Sequence, residues 1–196
     1  MARALDVWTI GHSSAPVERL VELLRMHEID VVADVRSSPY SRFSPHFNRE
    51  PLEARLLAEK IHYVFLGREL GGRPEDPESY DEEGHALYWK MARSPSFEAG
   101  LERLGVWARR YRVALLCSEE DPSECHRHLL LSRVLRERGV DVRHVRGDGS
   151  VETEAALHAK ESRARQRSIL DPSEEPAWRS PQSVSRRNPP KSSSNG

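Results

Sequence analysis

Residues 113–127, VALLCSEEDPSECHR, contain a transition from strand to helix that is the clearest indication of the fold. The first five residues are apolar and predict a buried strand, and the acidic stretch after them is typical of a surface loop. A helix then begins near Cys125, carries apolar residues at helical spacing and ends at Gly139, a residue type favoured just beyond helix C termini. A buried strand closely followed by a helix is the repeating unit of a parallel α/β sheet.

The same alternation of short apolar runs and helical patterns extends over most of the chain. Helical patterns begin near Pro16 and at Pro51, and a third runs from Phe97 to Tyr111. The five predicted strands cover residues 7–10, 31–35, 61–66, 113–117 and 140–145. The sequence therefore predicts an α/β fold with a three-layer, open, mostly parallel sheet of about five strands flanked by helices, Rossmann-like in topology.

Length and composition exclude several classes of protein. The chain has 196 residues, of which 37% are hydrophobic and 31% charged, and this suits one domain with a core plus some excess. No apolar run is long enough to predict a membrane span, and the N terminus is too charged for a secretory signal. Two cysteines cannot form a disulfide framework, so reduced thiols and a cytoplasmic location are expected.

The last 38 residues differ from the rest in composition. Residues 159–196 are rich in Ser, Pro and Arg and carry a net charge of +4, which leaves −5 on residues 1–158. We expect one α/β domain over 1–158 and a basic extension over 159–196 that begins as a helix and is otherwise largely disordered, acting as a solubilising tail or as a phosphate-binding arm. The overall charge of −1 therefore does not exclude a nucleic-acid partner.

Polar groups follow several of the predicted strands at their carboxyl ends, where ligands bind in open α/β sheets. His12 and Ser13 follow the first strand, and Glu119 follows the fourth. Asp34 and Arg36, two positions apart in the second strand, must point to the same face of the sheet. They form either an internal ion pair or a functional pair with Arg36 on a phosphate, while Glu119 is either an acid–base group or a helix cap.

The two cysteines are candidate reactive or metal-binding residues. Cys125 lies at a predicted helix N terminus, where a thiolate is stabilised, so it is either a nucleophile or a residue that lines a ligand site. With Cys117, His126 and His128 it also suggests zinc. However, there is no CxxC pair and the side chains are expected to face different ways, so no metal site is predicted.

Two loops complete the candidate site. Residues 36–49 mix serine, arginine and aromatic residues without periodicity, which suits contacts with phosphate and with an exposed base, or plain loop packing. Gly71 and Gly72 allow a tight turn or the close approach of a ligand. The spacing around them matches neither a Walker loop nor a dinucleotide fingerprint, so no nucleotide cofactor is predicted.

Taken in order, these blocks resemble the family called domain of unknown function 488, over roughly residues 7–148. The resemblance is carried by residues 9–13 (TIGHS), 34–36 (DVR) with Pro39, Ser41 and Phe43, residues 70–72 (LGG), 116–119 (LCSE), 125–127 (CHR) and 144–145 (HV). Ser118 departs from the alanine that the family often has. The resemblance implies a compact α/β fold, a link to DNA repair, and excision of modified pyrimidine bases by a glycosylase or glycosylase–lyase.

We therefore expect a DNA glycosylase that excises a modified pyrimidine such as a 5-hydroxymethyl pyrimidine from DNA, after flipping the nucleotide out of the stack. The candidate catalytic residues are Asp34, Glu119 and His12, with Lys90 as an amine for a lyase step. The candidate substrate- and DNA-binding residues are Ser13, Arg36, Tyr40, Ser41, Arg42, Phe43, Phe47, Asn48, Arg49, Gly71, Gly72, Cys125, His126 and Arg127. No cofactor is expected.

Two other functions remain open from the sequence. A thiol enzyme acting on a small anionic metabolite would use Cys125 as nucleophile, with Arg127 or Arg36 holding the anion. A non-catalytic nucleic-acid-binding module would use the basic tail and the serine–arginine loop and would have no need of the acids.

Overall fold

The computed structural model describes residues 6–167 and 178–184. The strands are β1 (Asp6–Gly11), β2 (Val31–Asp34), β3 (His62–Phe65), β4 (Val113–Cys117), β5 (Asp141–Val145) and β6 (Val151–Thr153). The α-helices are α1 (Val17–Met26), α2 (Arg49–Ala58), α3 (Gly67–Leu70), α4 (Tyr88–Met91), α5 (Pro95–Ala108), α6 (Arg133–Glu137) and α7 (Glu154–Arg167). Short 3-10 turns cover Pro45–Phe47, Pro77–Ser79 and Pro122–Glu124, and Arg127–Ser132 forms a π-helix that leads into α6.

The strands form one sheet in the order β3-β2-β4-β1-β5-β6. All neighbouring pairs are parallel except β5 and β6, which confirms the predicted mostly parallel α/β sheet. The five predicted strands are present, and β6 is an additional antiparallel edge strand of three residues. Because β2, β4 and β1 are adjacent, the segments that follow them meet at one edge of the sheet.

Helices cover both faces of the sheet, as predicted. Along β4, Val113 and Leu115 belong to the core on the face covered by α5 and α6, whereas Ala114 and Leu116 belong to the core beneath α1 and α2. All five residues of β4 are buried, as expected for a central strand of a parallel sheet. No helix in the described ranges is long and apolar enough to cross a bilayer.

The C-terminal part of the chain is described in two pieces, α7 and the segment 178–184. Position 158 falls inside α7, so the helix continues into the predicted extension. The segment 178–184 packs back on the domain: the indole Nε1 of Trp178 donates to the carbonyl of Leu129 at 2.6 Å, and Ser180 exchanges hydrogen bonds with Ala86. These seven residues are therefore ordered, and residues 168–177 and 185–196 lie outside the described part of the chain.

Candidate active site

A cavity of about 720 Å³ lies at the carboxyl edge of the sheet. Eight of its lining residues are serines: Ser13, Ser14, Ser37, Ser38, Ser41, Ser44, Ser118 and Ser180. The remaining lining side chains include His12, Arg36, Arg73, Cys117, Glu119, Glu124, Cys125 and His126. The cavity thus combines many hydroxyl groups with two guanidinium groups, two carboxyl groups and two thiols, and this set suits a polar or phosphorylated ligand.

His12 leaves β1 with its ring held on three sides. Nδ1 lies 2.7 Å from the carbonyl oxygen of Ser13, Nε2 lies 3.3 Å from Arg36, and the ring stacks on Phe47 at 4.0 Å. Burial is the main reason why the pKa of His12 falls to about 4, so the ring is neutral at physiological pH. A neutral ring that donates from Nδ1 to Ser13 accepts from Arg36 at Nε2.

Asp34 and Arg36 form a buried ion pair, which was the first of the two alternatives predicted for them. The guanidinium donates from Nε to Oδ1 at 2.9 Å and from Nη2 to Oδ2 at 2.5 Å. The backbone amide of Arg36 and the hydroxyl of Tyr63 also donate to this carboxylate, which is fully buried. Asp34 therefore does not line the cavity, and the prediction that it contacts the reacting centre is wrong. Its role is to hold Arg36.

Two thiols, a carboxylate and an imidazole meet where β4 ends. Cys117 Sγ lies 3.1 Å from Cys125 Sγ and 2.8 Å from Glu119 Oε2. His126 Nδ1 lies 3.6 Å from Cys117 Sγ and 3.7 Å from Cys125 Sγ. The expectation that these side chains would face different ways is incorrect for Cys117, Cys125 and His126. The expectation is correct for His128, whose ring faces away from the thiols and forms hydrogen bonds with Glu154 and Glu161.

The two thiols differ in acidity. A hydrogen bond from Cys125 and the charge of His126 lower the pKa of the Cys117 thiol well below its usual value, although burial opposes that change. Burial and the neighbouring Cys117 raise the pKa of Cys125. Desolvation and Cys117 likewise raise the pKa of Glu119. Cys125, the thiol predicted as nucleophile, is thus the less acidic of the pair.

His126 is fixed by its second nitrogen. Its Nε2 lies 3.1 Å from the carbonyl oxygen of Val35, so Nε2 carries the proton and Nδ1 faces the thiols. Although burial disfavours a charge on the ring, Cys117 raises the pKa of His126 above its usual value. Gly72 packs against the same ring, and a Cβ on it would lie 2.8 Å from His126 Cγ. At Gly72 the close approach is made by the His126 side chain, and the predicted approach of a ligand stays a prediction.

Arg127 is buried beneath the loop that follows β4 and is bonded to its backbone. The residue is fully buried, and its guanidinium donates to the backbone carbonyls of Glu119 and Glu120, so it cannot hold a DNA phosphate or a metabolite anion. Gly11 allows this arrangement because a Cβ there would overlap the Glu119 carbonyl. Arg127 therefore fixes the backbone that presents Glu119 to the cavity.

The serine–arginine loop divides into exposed and packed residues. Phe43 is 82% exposed and Tyr40 is 55% exposed, whereas Phe47 is buried beneath His12 and cannot hold a flipped base. Tyr40 and Ser41 line the cavity. The other predicted contacts do not line it: Arg42 stacks on Phe43, Asn48 accepts from the backbone of Ser41, Arg49 stacks on Phe65, and Gly71 packs on Gly67 and Ser37.

Lys90, the predicted amine of a lyase step, does not reach the cavity. Its Nζ donates to the carbonyl oxygen of Glu78 at 2.8 Å and lies 3.4 Å from the Glu78 carboxylate. Among the described residues, no lysine lines the cavity. The amine of the N terminus belongs to residue 1, which lies outside the described residues.

Sequence reasoning missed several lining residues. Arg73, Glu124 and Tyr88 come from loops or a short helix with no distinctive pattern, and Ser180 with Gln182 comes from the segment assigned to the tail. The repeated serines of the loops after β1 and β2 were the one signal that could have identified more of the cavity wall.

Comparison with protein families adds one finding. The family model described as domain of unknown function DUF488 matches residues 16–134. The chain belongs to the DUF488 family. The match includes the end of β2, the Gly71-Gly72 turn and the Cys117–Arg127 region, whereas the His12 segment and His144 lie outside it. No curated protein and no solved structure shows significant similarity to this DUF488 chain.

Proposed function

We propose that this DUF488 protein hydrolyses the N-glycosidic bond of a modified pyrimidine nucleotide in DNA, with Glu119 as the catalytic carboxylate. The observation that carries the proposal is the position of Glu119, whose carboxyl group lies two residues beyond β4 and lines a serine-rich cavity of about 720 Å³. A carboxylate in such a place can stabilise the cationic sugar that develops when the base leaves, or can activate water. The modified-pyrimidine substrate is what the family resemblance implies.

The surroundings of the cavity favour a nucleotide that has been flipped out of the helix. The exposed Phe43 can stack on a base or fill the gap that a flipped base leaves, and Tyr40 lies at the cavity wall. Arg73 is exposed and lines the cavity, where it can hold a phosphate beside the target nucleotide. The guanidinium of Arg36 is already paired with Asp34 and serves mainly to orient His12 and the cavity floor.

We propose hydrolysis without strand cleavage, because Lys90 is bonded to Glu78 outside the cavity. A lyase would need an amine to form a Schiff base with the sugar. Base release that leaves an intact, alkali-sensitive strand is therefore the expected product.

The test uses the full chain and oligonucleotides that each contain a single modified pyrimidine, such as 5-hydroxymethyluracil or 5-hydroxymethylcytosine, as duplex and as single strand. Free base is measured by mass spectrometry, and strand cleavage by gel with and without alkali. Glu119→Gln is expected to lower base release at least about 100-fold, whereas Glu124→Gln, the matched change at the other cavity carboxyl, retains most of it.

Three results would each contradict a different part of the proposal. Salt-sensitive DNA binding with no base released from any oligonucleotide would favour a non-catalytic binding module. Full base release by Glu119→Gln would remove Glu119 from the mechanism. Strand cleavage without alkali would show that an amine from another part of the chain reaches the sugar.

A further inference from the structure

The end of β4 and the start of the π-helix bring together three groups that commonly bind metal ions. Cys117 Sγ, Cys125 Sγ and His126 Nδ1 all lie within 4.8 Å of one another. Both thiols are buried, at 3% and 2% exposure, and all three residues line the cavity, which gives an ion a path from solvent. Thiolate and imidazole together form a ligand set that selects Zn²⁺ over the hard cations Mg²⁺ and Ca²⁺.

The hydrogen bonding of His126 orients it as a ligand. Its Nε2 is engaged by the carbonyl oxygen of Val35 at 3.1 Å, which leaves the Nδ1 lone pair directed at the two sulfur atoms. Metal-binding histidines characteristically donate their other ring N–H to a carbonyl or carboxylate in this way. Gly72 against the ring leaves no room for His126 to turn away on that side.

The distances fit tetrahedral coordination with little movement. Zn–S bonds of about 2.3 Å and Zn–N bonds of about 2.0 Å place sulfur and nitrogen about 3.5 Å apart at a tetrahedral centre. The two sulfur–nitrogen distances here are 3.6 and 3.7 Å. The sulfur atoms, 3.1 Å apart, would separate to about 3.8 Å around the ion, a change that small side-chain rotations provide.

A second cluster, formed by His128, His144 and Glu154, is the alternative place for a metal. Its ring nitrogens are already engaged, because His144 bonds Thr9 at 2.8 Å and Glu154 at 3.0 Å, and His128 bonds Glu154 at 2.7 Å and a further glutamate. None of the three residues lines the cavity. This cluster is therefore a hydrogen-bonded tie between β5 and α7, and it serves as an internal control.

We propose that Cys117, Cys125 and His126 bind one Zn²⁺ ion, with the fourth coordination position open to the cavity. Binding replaces the two thiol protons, which leave to solvent, and no electrons are transferred. Glu119 Oε2 lies 2.8 Å from Cys117 Sγ and 3.3 Å from Cys125 Sγ, so its carboxylate is near enough to accept a hydrogen bond from a water bound to such an ion. Metal binding is measured directly, so the proposal stands or falls independently of whether DNA is the substrate.

The experiment measures the zinc content of the full chain, purified under reducing conditions and then incubated with Zn²⁺ and desalted. One equivalent of zinc is expected for the native chain and for His128→Gln and His144→Asn, with near-complete loss in Cys117→Ser and Cys125→Ser. Glu119→Gln retains its zinc, since Glu119 is not a ligand. Circular dichroism establishes that each variant is folded.

Cobalt(II) provides a measurement that needs no variant. Loaded into the reduced native chain in place of zinc, it is expected to give thiolate-to-cobalt charge-transfer absorption and the visible bands of a tetrahedral centre. Absence of these bands together with zinc below stoichiometry would overturn the proposal. Stoichiometric zinc that persists in the folded cysteine variants but is lost in His144→Asn would also overturn it and assign the ion to the second cluster.

Discussion

The sulfur atoms of Cys117 and Cys125 lie 3.1 Å apart, although the residues are eight positions apart in the chain. Cys117 ends β4, and Cys125 follows the 3-10 turn Pro122–Glu124 that reverses the chain. The turn is capped by Asp121, and the backbone between the two cysteines is fixed by the buried Arg127. The same segment therefore sets both the sulfur pair and the position of Glu119.

Gly72→Ala is expected to disturb the thiol site through His126. The new Cβ would lie 2.8 Å from His126 Cγ, so the ring must move away, and overpacking of this kind costs about 1–3 kcal/mol of unfolding free energy. Urea unfolding measures the loss, and zinc content of the reduced protein is expected to fall with it.

The matched control for this change is Gly147→Ala, whose Cβ would meet Glu120 at an ordinary 3.5 Å. Unchanged stability and zinc content in Gly72→Ala would show that the ring tolerates the methyl group and that the contact does not restrain His126.

Asp34→Asn is expected to destabilise the fold rather than to remove a catalytic group. It removes the charge that compensates Arg36, which is 6% exposed, and breaking a buried ion pair from one side costs about 3–5 kcal/mol. The free energy of unfolding in urea tests this, with the exposed Glu53→Gln as control. A variant of native stability that has lost activity would instead return Asp34 to a chemical role.

Asp121 gives the stability of the turn a pH dependence. Although partial desolvation opposes the charge, hydrogen bonds from Ser123 and the ion pair with Arg146 lower the pKa of Asp121 to about 2. A carboxyl with a depressed folded-state pKa stabilises the fold above its unfolded pKa of about 3.9, and that stability is lost as pH falls toward 2.

Urea unfolding of wild type and Asp121→Asn should therefore differ most near neutral pH and converge as pH falls below about 4. Asn retains the acceptor oxygen for Ser123, so the difference reports on the charge. A difference that stays constant down to pH 3 would contradict the assigned pKa.

Phe43 and Phe47 are expected to respond in opposite ways to truncation. Phe43→Ala removes an 82% exposed ring and should change the unfolding free energy by less than about 0.5 kcal/mol. It should weaken DNA binding roughly 5- to 100-fold through lost stacking. Phe47→Ala removes a ring that is 1% exposed and should cost about 3–5 kcal/mol of stability. Thermal melting and gel-shift titration separate the two effects, and equal DNA affinity for wild type and Phe43→Ala would rule out a stacking role.

Local pattern predicted much of the architecture. Each of the five predicted strands agrees with the structure to within one residue at either end. Strands β2 and β4 are continuous buried runs, as is typical of parallel sheets, whereas β5 (DVRHV) is only partly apolar. Strand β6 was missed because three residues, VET, give too short an alternation to stand out. Helix α2 begins at Arg49, two residues before the Pro51 that marked it, because Pro is also accommodated within the first helical turn.

The carboxyl-edge rule also predicted where the cavity lies, since His12, Arg36 and Glu119 all line it. That rule predicts where strand ends gather, and it does not predict which side chain from each end reaches the ligand. Asp34 and Arg36 share a face of the sheet, as the two-residue period of a strand requires. Their ion pair keeps the Asp34 carboxylate out of the cavity and places the Arg36 guanidinium between Asp34 and His12.

Local sequence was enough to predict the strands, the faces on which their residues lie and the sheet edge that carries the cavity, because each depends on residues close together in the chain. Other placements become visible only in the folded chain. Phe47 belongs to the core, Arg127 is buried and bonded to the backbone, Ser180 lines the cavity, and two thiols lie beside one imidazole. These placements depend on the strand order β3-β2-β4-β1-β5-β6, which brings distant segments of the chain together. The strand order has no signature in the local periodicity of the sequence, so it could not be predicted from that periodicity.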